Sequence, residues 1–408
     1  MTTLPAPRYL DRSSPPHITT LVLTAAVGSV AINIFLPSMP EMASFFGQPY
    51  AVIQLTLTVY LALTGVAILV LGPLSDLYGR RPVMIWSFAL FIAASIGAAF
   101  AQSFAVFMGF RCLQAAVVSS FVIGRAIVRD QVAREKAASL LGYVTMGQAL
   151  APMIAPAIGG ALGDAFGWQA SFHALTIFGI IALVLIYFDQ GETYTRRSAG
   201  LRAQIRNFPD LLGSRRFWGY TLTSTFAAGT FFAYLGGAPY VGINVYGLSE
   251  ATVGLYMAFT PTGYIIGNFI SGRFAARIGM FRMLRLGALI TLGFMSMTLV
   301  TWGLGISHPL GFFFFTFAIG LGNGIILPSA SAGLLDVRPD LAGSASGLSG
   351  SIVTFGGAAL STLSGLLLTT FSGVLPLILC VLGASLLCLG SATYTISVET
   401  RMRPGASR

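Results

Sequence analysis

Lysine occurs once in the 408 residues, at Lys136, and no G-x-x-x-x-G-K-[ST] pattern surrounds it. A loop that cradles nucleotide phosphates against such a lysine is therefore absent, and ATP hydrolysis on this chain is excluded. Histidine occurs three times, at His17, His173 and His308, with no H-E-x-x-H pair, which excludes a zinc protease. The cysteines Cys112, Cys380 and Cys388 all sit in apolar runs. Their odd number and spacing imply neither a disulfide framework nor a metal site, and they read as small hydrophobes. Charge is scarce overall: 9% of residues are charged, against about 25% in a soluble domain. What fills the space is apolar. Hydrophobic residues make up 55% and the mean hydropathy is +0.81, so a soluble or disordered chain is excluded.

A spanning helix needs about 20 mostly apolar residues. Twelve such stretches occur, roughly at 18–38, 51–71, 83–101, 104–124, 138–161, 168–188, 217–238, 251–271, 283–303, 309–333, 343–369 and 373–396. Unbroken runs of this length suit helices and not barrel strands, which alternate. The first follows Arg8 and Arg12 but lacks a small-residue cleavage site after it, so it reads as an uncleaved helix. With both termini in the cytoplasm, 22 of the 23 Lys and Arg residues fall in inner loops or tails. The exception is Arg111, inside span four. The net charge of +10 thus marks topology and anionic-lipid contact, not a nucleic-acid surface.

The stretch 189–216 carries six arginines and reads as a cytoplasmic linker, with a short amphipathic helix over 201–213. It separates an N-terminal six-helix half, 1–188, from a C-terminal half, 217–408. Residues 72–79 (GPLSDLYG) and 272–279 (GRFAARIG) share glycine spacing 200 positions apart. AASLLG at 137–142 pairs with AGSASG at 342–347, and Pro37 with Pro239, at nearly the same offset, which argues for duplication.

Three segments carry candidate chemistry. GPLSDLYGRR closes span two: Gly72 and Gly79 permit close helix ends, Asp76 can accept from an arginine or a helix N-terminus, and Arg80 and Arg81 open the loop. Span five runs through Gly142, Gly147, Ala151, Pro152, Pro156, Gly159 and Gly160. Its two prolines free backbone carbonyls and kink the helix, and its small residues allow close packing. Arg111 lies about seven residues into span four, with Gln114 on the same face. An arginine there costs about 2.5–3.5 kcal/mol on insertion scales, so it faces a wet cavity or a partner. Two roles fit: a transport or coupling residue, or a brace for backbone carbonyls near Pro37.

The segment 72–81 resembles the loop signature G-x-L-x-D-x-x-G-R-R/K of the major facilitator superfamily. LPSMP at 36–40, GPLSDLYGRRP at 72–82, RAIVRD at 125–130 and APMIAPAIGG at 151–160 resemble its bicyclomycin- and chloramphenicol-resistance (Bcr/CflA) subfamily of drug:proton antiporters. The resemblance implies an all-α integral membrane fold of twelve helices in two pseudo-symmetric halves. It also implies a latch in which Asp76 pairs with the inner end of span four, near Arg125 and Arg129, and faces span eleven near Gly343 and Ser344. The span-five pattern implies export, and Arg111 with Gln114 resembles the R-x-x-Q-G motif, with Ala115 for glycine. The subfamily's D-x-x-L-P in span one is NIFLP here, so Asn33 stands where a proton-binding aspartate is usual. None of the thirteen acidic residues lies deep in a span. Three options follow: Asp76 or Glu41 takes the proton at an edge, Arg111 couples through substrate competition, or transport is uncoupled facilitation.

Candidate cavity residues are Phe35, Tyr60, Met146, Phe231, Tyr234, Tyr240, Tyr264 and Asn268, a set of aromatic, Met and amide side chains suited to an adaptable apolar pocket. The expected function is drug efflux by a secondary transporter, proton-coupled, with no cofactor and no metal. It would act as a monomer in the bacterial inner membrane on small hydrophobic or amphiphilic compounds. A metabolite or monoanion transporter of the same fold is the alternative. A membrane enzyme is disfavoured by the lack of His/Glu clusters, of a G-x-S-x-G elbow and of any intramembrane acid.

Overall fold

The structure is a computed structural model. It describes residues 9–402 apart from 13, 132–133, 194–205, 207, 307 and 372; for 129, 134–139, 141–143, 145–147 and 149 it describes the backbone alone. Among the described residues every regular element is helical. This is what a lipid environment dictates, because a spanning segment must satisfy its own backbone polar groups.

The helices follow the apolar runs. They are α1 (Ile18–Asn33), α2 (Tyr50–Tyr78), α3 (Arg80–Ala99) and α4, which passes from Phe104–Gln114 through a tight turn, Ala115–Val118, into Ser119–Gln131. Then come α5 (Arg134–Phe166), α6 (Gln169–Asp189), α7 (Arg215–Tyr240) and α8, built from Glu250–Met257 and Phe259–Ile278. The last are α9 (Met280–Gly303), α10 (Pro309–Phe313, a turn, then Phe317–Leu335), α11 (Ala342–Thr370) and α12 (Leu375–Met402). Nine of these are long and apolar enough to cross a membrane, and shorter apolar helices include Ile18–Asn33.

One boundary departs in a telling way from the sequence expectation. The first span ends at Asn33 instead of continuing to 38; residues 34–38 form a turn, and a second short helix, Met39–Phe46, begins there. Pro40 in the first turn of that helix lacks an amide hydrogen and so costs nothing there, whereas it would break a continuing α1. In the linker, Phe208–Leu212 is helical. Residues 201–205 and 207 of the expected helix over 201–213 lie outside the described residues.

Helices α1–α6 pack as one bundle and α7–α12 as another; the two meet chiefly along α2 with α11 and α5 with α8. These two pairings exchange under a six-helix shift, so the contact pattern carries the duplication. Backbone geometry carries it too. Gly79, between α2 and α3, has φ 99° and Gly279, between α8 and α9, has φ 91°. Gly47 and Gly247, also 200 positions apart, have φ 60° and 68°. Side chains rarely tolerate this region, so glycine recurs at equivalent corners for the same steric reason.

The end of the bundle bearing Arg80 and Arg81 is called the arginine-rich end below. The opposite end carries Met39–Phe46 and the α5–α6 and α7–α8 corners.

Candidate functional site

Arg111 is fully buried and is held by one half of the molecule. One guanidinium nitrogen donates to Gln114 Oε1 at 2.7 Å, and another to the Ala31 carbonyl of α1 at 2.9 Å. Gln114 passes the connection on, donating to Ser95 Oγ of α3 at 2.7 Å. The guanidinium carbon lies 4.2 Å from the ring centroids of both Phe35 and Tyr60, so the cation is sandwiched. The magnitudes explain why it stays without a salt bridge. Two hydrogen bonds from a charged donor contribute about 1.5–3 kcal/mol each, and desolvated ring contacts about 2 kcal/mol. Together these offset an insertion cost of about 2.5–3.5 kcal/mol. No acidic residue is recorded against Arg111 among the described residues, and its Nε has no partner.

Arg111, Gln114, Phe35 and Tyr60 are thus brought together, a grouping of four of which the sequence paired only the first two. Asn33 is buried two positions beyond Ala31, so it shares the depth of Arg111. Its amide donates to the Ser29 carbonyl of its own helix at 2.7 Å, while its Oδ1 is unpartnered. An aspartate there would lose that donor and place a carboxylate at the level of the guanidinium. Asn33→Asp is therefore expected to alter the pH dependence of transport, read as substrate efflux from pH 5.5 to 8.5; an unchanged profile at full activity removes position 33 from coupling.

The C-terminal candidates do not join this node. Tyr234 is buried beside Thr260 and Thr316 without hydrogen-bond geometry, and Phe231 packs on Phe232. Tyr240 packs against Tyr50 of the other half at 5.0 Å between centroids. Tyr264 is half-buried, and Asn268 donates to its backbone carbonyl at 2.8 Å. That amide finds its partner within its own helix and not across the interface. The side chain of Met146 lies outside the described residues, as do those of Arg129, Gly142 and Gly147.

The glycines of α5 act at the end opposite the arginines. A methyl group at Gly159 would overlap the Ile34 carbonyl oxygen; one at Gly160 would overlap the Glu250 carbonyl of α8. Reciprocally, one at Gly254 of α8 would overlap the carbonyl of Pro156. Backbones of the two halves therefore touch here. Pro152 lies one turn before Pro156 within the same continuous helix. Along α2 and α11 the halves are also hydrogen-bonded. Gln54 donates to the Ser361 carbonyl at 2.6 Å and Ser351 to the Gly65 carbonyl at 2.8 Å. Tyr50 donates to the Gly236 carbonyl of α7 at 2.8 Å.

At the arginine-rich end the pattern differs. Asp76 forms its ion pair with Arg80, whose Nε also pairs with Asp130 of α4 at 3.2 Å. Glu192 accepts from the backbone amides of Arg80 at 2.9 Å and Arg81 at 3.2 Å, capping α3. Arg81 lies over the Tyr187 ring at 5.4 Å. Gly72 sits in van der Waals reach of Val122 of α4, and Arg125 is exposed. A methyl at Gly343, at the end of span eleven that the resemblance has Asp76 face, would meet open space. Within the first half, this charged corner joins α4 through Asp130. Sequence reading passed over Asp130, although it closes RAIVRD, and passed over Gln54, a polar residue in an otherwise apolar run.

This is the architecture of a two-bundle membrane transporter: twelve helices, a twofold repeat, and halves joined near one end. The comparisons narrow it. Residues 21–362 match the model of the Major Facilitator Superfamily. An uncharacterized MFS-type transporter, YdgK of Bacillus subtilis, is 31% identical over 84% of this chain and 87% of its own. A chloramphenicol resistance protein of Pseudomonas aeruginosa is 30% identical over 76% of this chain and 74% of its own. A bicyclomycin resistance protein homolog of Haemophilus influenzae is 27% identical over 86% and 89%. Among solved structures, a bacterial homolog of the human lysosomal transporter Spinster superposes with a TM-score of 0.73 at 16% identity, covering 95% of this chain and 97% of its own. The chain belongs to the major facilitator superfamily. It is a multi-pass membrane protein of a transporter family.

Proposed function

We propose that this protein exports small hydrophobic or amphiphilic compounds, drugs among them, by alternating access between the halves 1–188 and 217–408. The observation that carries the reading is the contrast between the two ends. Backbones of α5 and α8 touch at Gly160 and Gly254, whereas Gly343 of α11 faces open space at the arginine-rich end. A close-packed α5–α8 end fits a rocking-bundle transporter in one of its two states. Relatives named for chloramphenicol and bicyclomycin resistance support the substrate class. The arginine distribution supports cytoplasmic termini in the bacterial inner membrane, and a closed two-half unit supports a working monomer.

Asp76, Arg80, Arg81, Arg125 and Arg129 form the latch in this reading, engaging α11 when the arginine-rich end closes. Arg111, Gln114 and Asn33 form the transport and coupling node. The proton gradient is the energy source. A monoanion substrate is the second reading, favoured by a buried Arg111 with no recorded acidic partner. A growth-inhibition panel in an efflux-deficient bacterial host separates them. Export of apolar drugs raises inhibitory concentrations for chloramphenicol-type compounds, bicyclomycin or dyes at least fourfold over vector cells. Protection against none of them, with altered uptake of a small carboxylate, overturns the drug reading.

A further inference from the structure

The sealed end carries a carboxyl group that the transport node does not use. Glu250 is the first residue of α8, ahead of its apolar stretch, and is half-buried. Its Oε2 accepts a hydrogen bond from Ser38 Oγ, in the turn after α1 of the other half. Its side chain lies over Gly163 of α5, where a Cβ would collide with that same oxygen. Beside it, the Asp164 carboxylate accepts from the backbone amides of Glu250 at 3.1 Å and Ala251 at 3.0 Å. An aspartate of one half therefore caps a helix of the other, a favourable placement for an anion.

Every charged group facing Glu250 is acidic. Asp164 comes from α5 and Glu41 from the helix Met39–Phe46; Ser38 supplies the one side-chain donor. No basic residue is recorded facing it among the described residues. Glu41 is itself occupied, accepting from the Trp168 amide at 2.9 Å. Asp164 is likewise occupied, accepting from two backbone amides. Closure thus buries Glu250 next to two carboxylates with nothing to neutralise it.

We propose that Glu250 is a proton-binding gate residue: proton uptake on Glu250 favours closure of the α5–α8 end, and proton loss favours its opening. Burial pushes the carboxyl of Glu250 up to about 7 in the closed arrangement, with Glu41 and Asp164 adding to the rise. Opening exposes it to water, where a glutamate titrates near about 4.3. The closed state therefore binds the proton more tightly. As pH falls from about 7 toward the ordinary carboxylate range, closure gains; as pH rises through 7, opening gains. This assigns a proton site to a chain with Asn33 in span one, and it does not depend on the substrate class proposed above.

The test needs no substrate. Spin labels are placed at Ser44 and Asn244, exposed residues on the two halves at this end, in a background with Cys112, Cys380 and Cys388 replaced by alanine. Their separation is measured in nanodiscs from pH 5.5 to 8.5. The proposal predicts an open population that rises with pH, with the closed-to-open ratio changing about tenfold or more across the range. Glu250→Gln, neutral at every pH, is expected to remain closed and lose that dependence. Asp164→Asn removes the anionic cap and is expected to raise the open population across the range while keeping a pH dependence, which separates gating from general damage. A pH-invariant separation in the parent protein, or a Glu250→Gln variant with the parent's pH response, overturns it.

Discussion

Arg111→Ala is expected to reduce drug export to the level of cells without the protein, at matched membrane abundance. The change leaves Gln114 Oε1 and the Ala31 carbonyl without their donor, each a loss of about 1–3 kcal/mol in a buried setting. It also removes the cation from between Phe35 and Tyr60, worth about 2 kcal/mol when desolvated. Arg111→Lys keeps the charge but not the planar fork that reaches both acceptors while lying between two rings. It is expected to recover thermal stability in part and export hardly at all. Two readouts separate scaffold from function: the melting temperature of the detergent-solubilised protein, and efflux per molecule in vesicles. Export at the parent rate in Arg111→Ala would remove Arg111 from transport.

Gly160→Val is expected to abolish transport by a different route. Its side chain would occupy the space of the Glu250 carbonyl, so the α5–α8 end cannot close. Each half still folds, because that clash lies between halves. The variant is expected to reach the membrane normally, to show its Ser44 and Asn244 positions far apart at every pH, and to export nothing. Gly159→Val clashes instead with Ile34 of the same half and is expected to lower stability and abundance. Gly293→Ala, which meets open space on α9, serves as the neutral control. A Gly160→Val protein that closes and transports would mean that the backbone contact is not required for the cycle.

The twelve spans were readable because apolar runs long enough to cross a bilayer have few alternatives, and because 22 of 23 basic residues fell to one side of that count. Motifs that work through local geometry were readable as well. Gly79 is a left-handed corner, Gly159 and Gly160 are close-approach positions, and Arg111 with Gln114 is a one-turn pair. Contacts between distant segments were not. Nothing in the local sequence links Ser38 to Glu250, or Asp164 to the first amides of α8, since those pairs exist only once two bundles are docked. Asp76 illustrates the same limit. Its acidic character was legible, but its pairing with Arg80, four residues on, was not the one the resemblance implied.

The central claim is export through a site organised by Arg111. Its most direct test is accumulation of a radiolabelled chloramphenicol-type drug in energised, efflux-deficient cells expressing the protein, Arg111→Ala, or vector alone. Lower steady-state accumulation with the parent protein, abolished by Arg111→Ala and by a protonophore, is the expected result. Equal accumulation in parent and vector cells, or a reduction that survives Arg111→Ala, would contradict it.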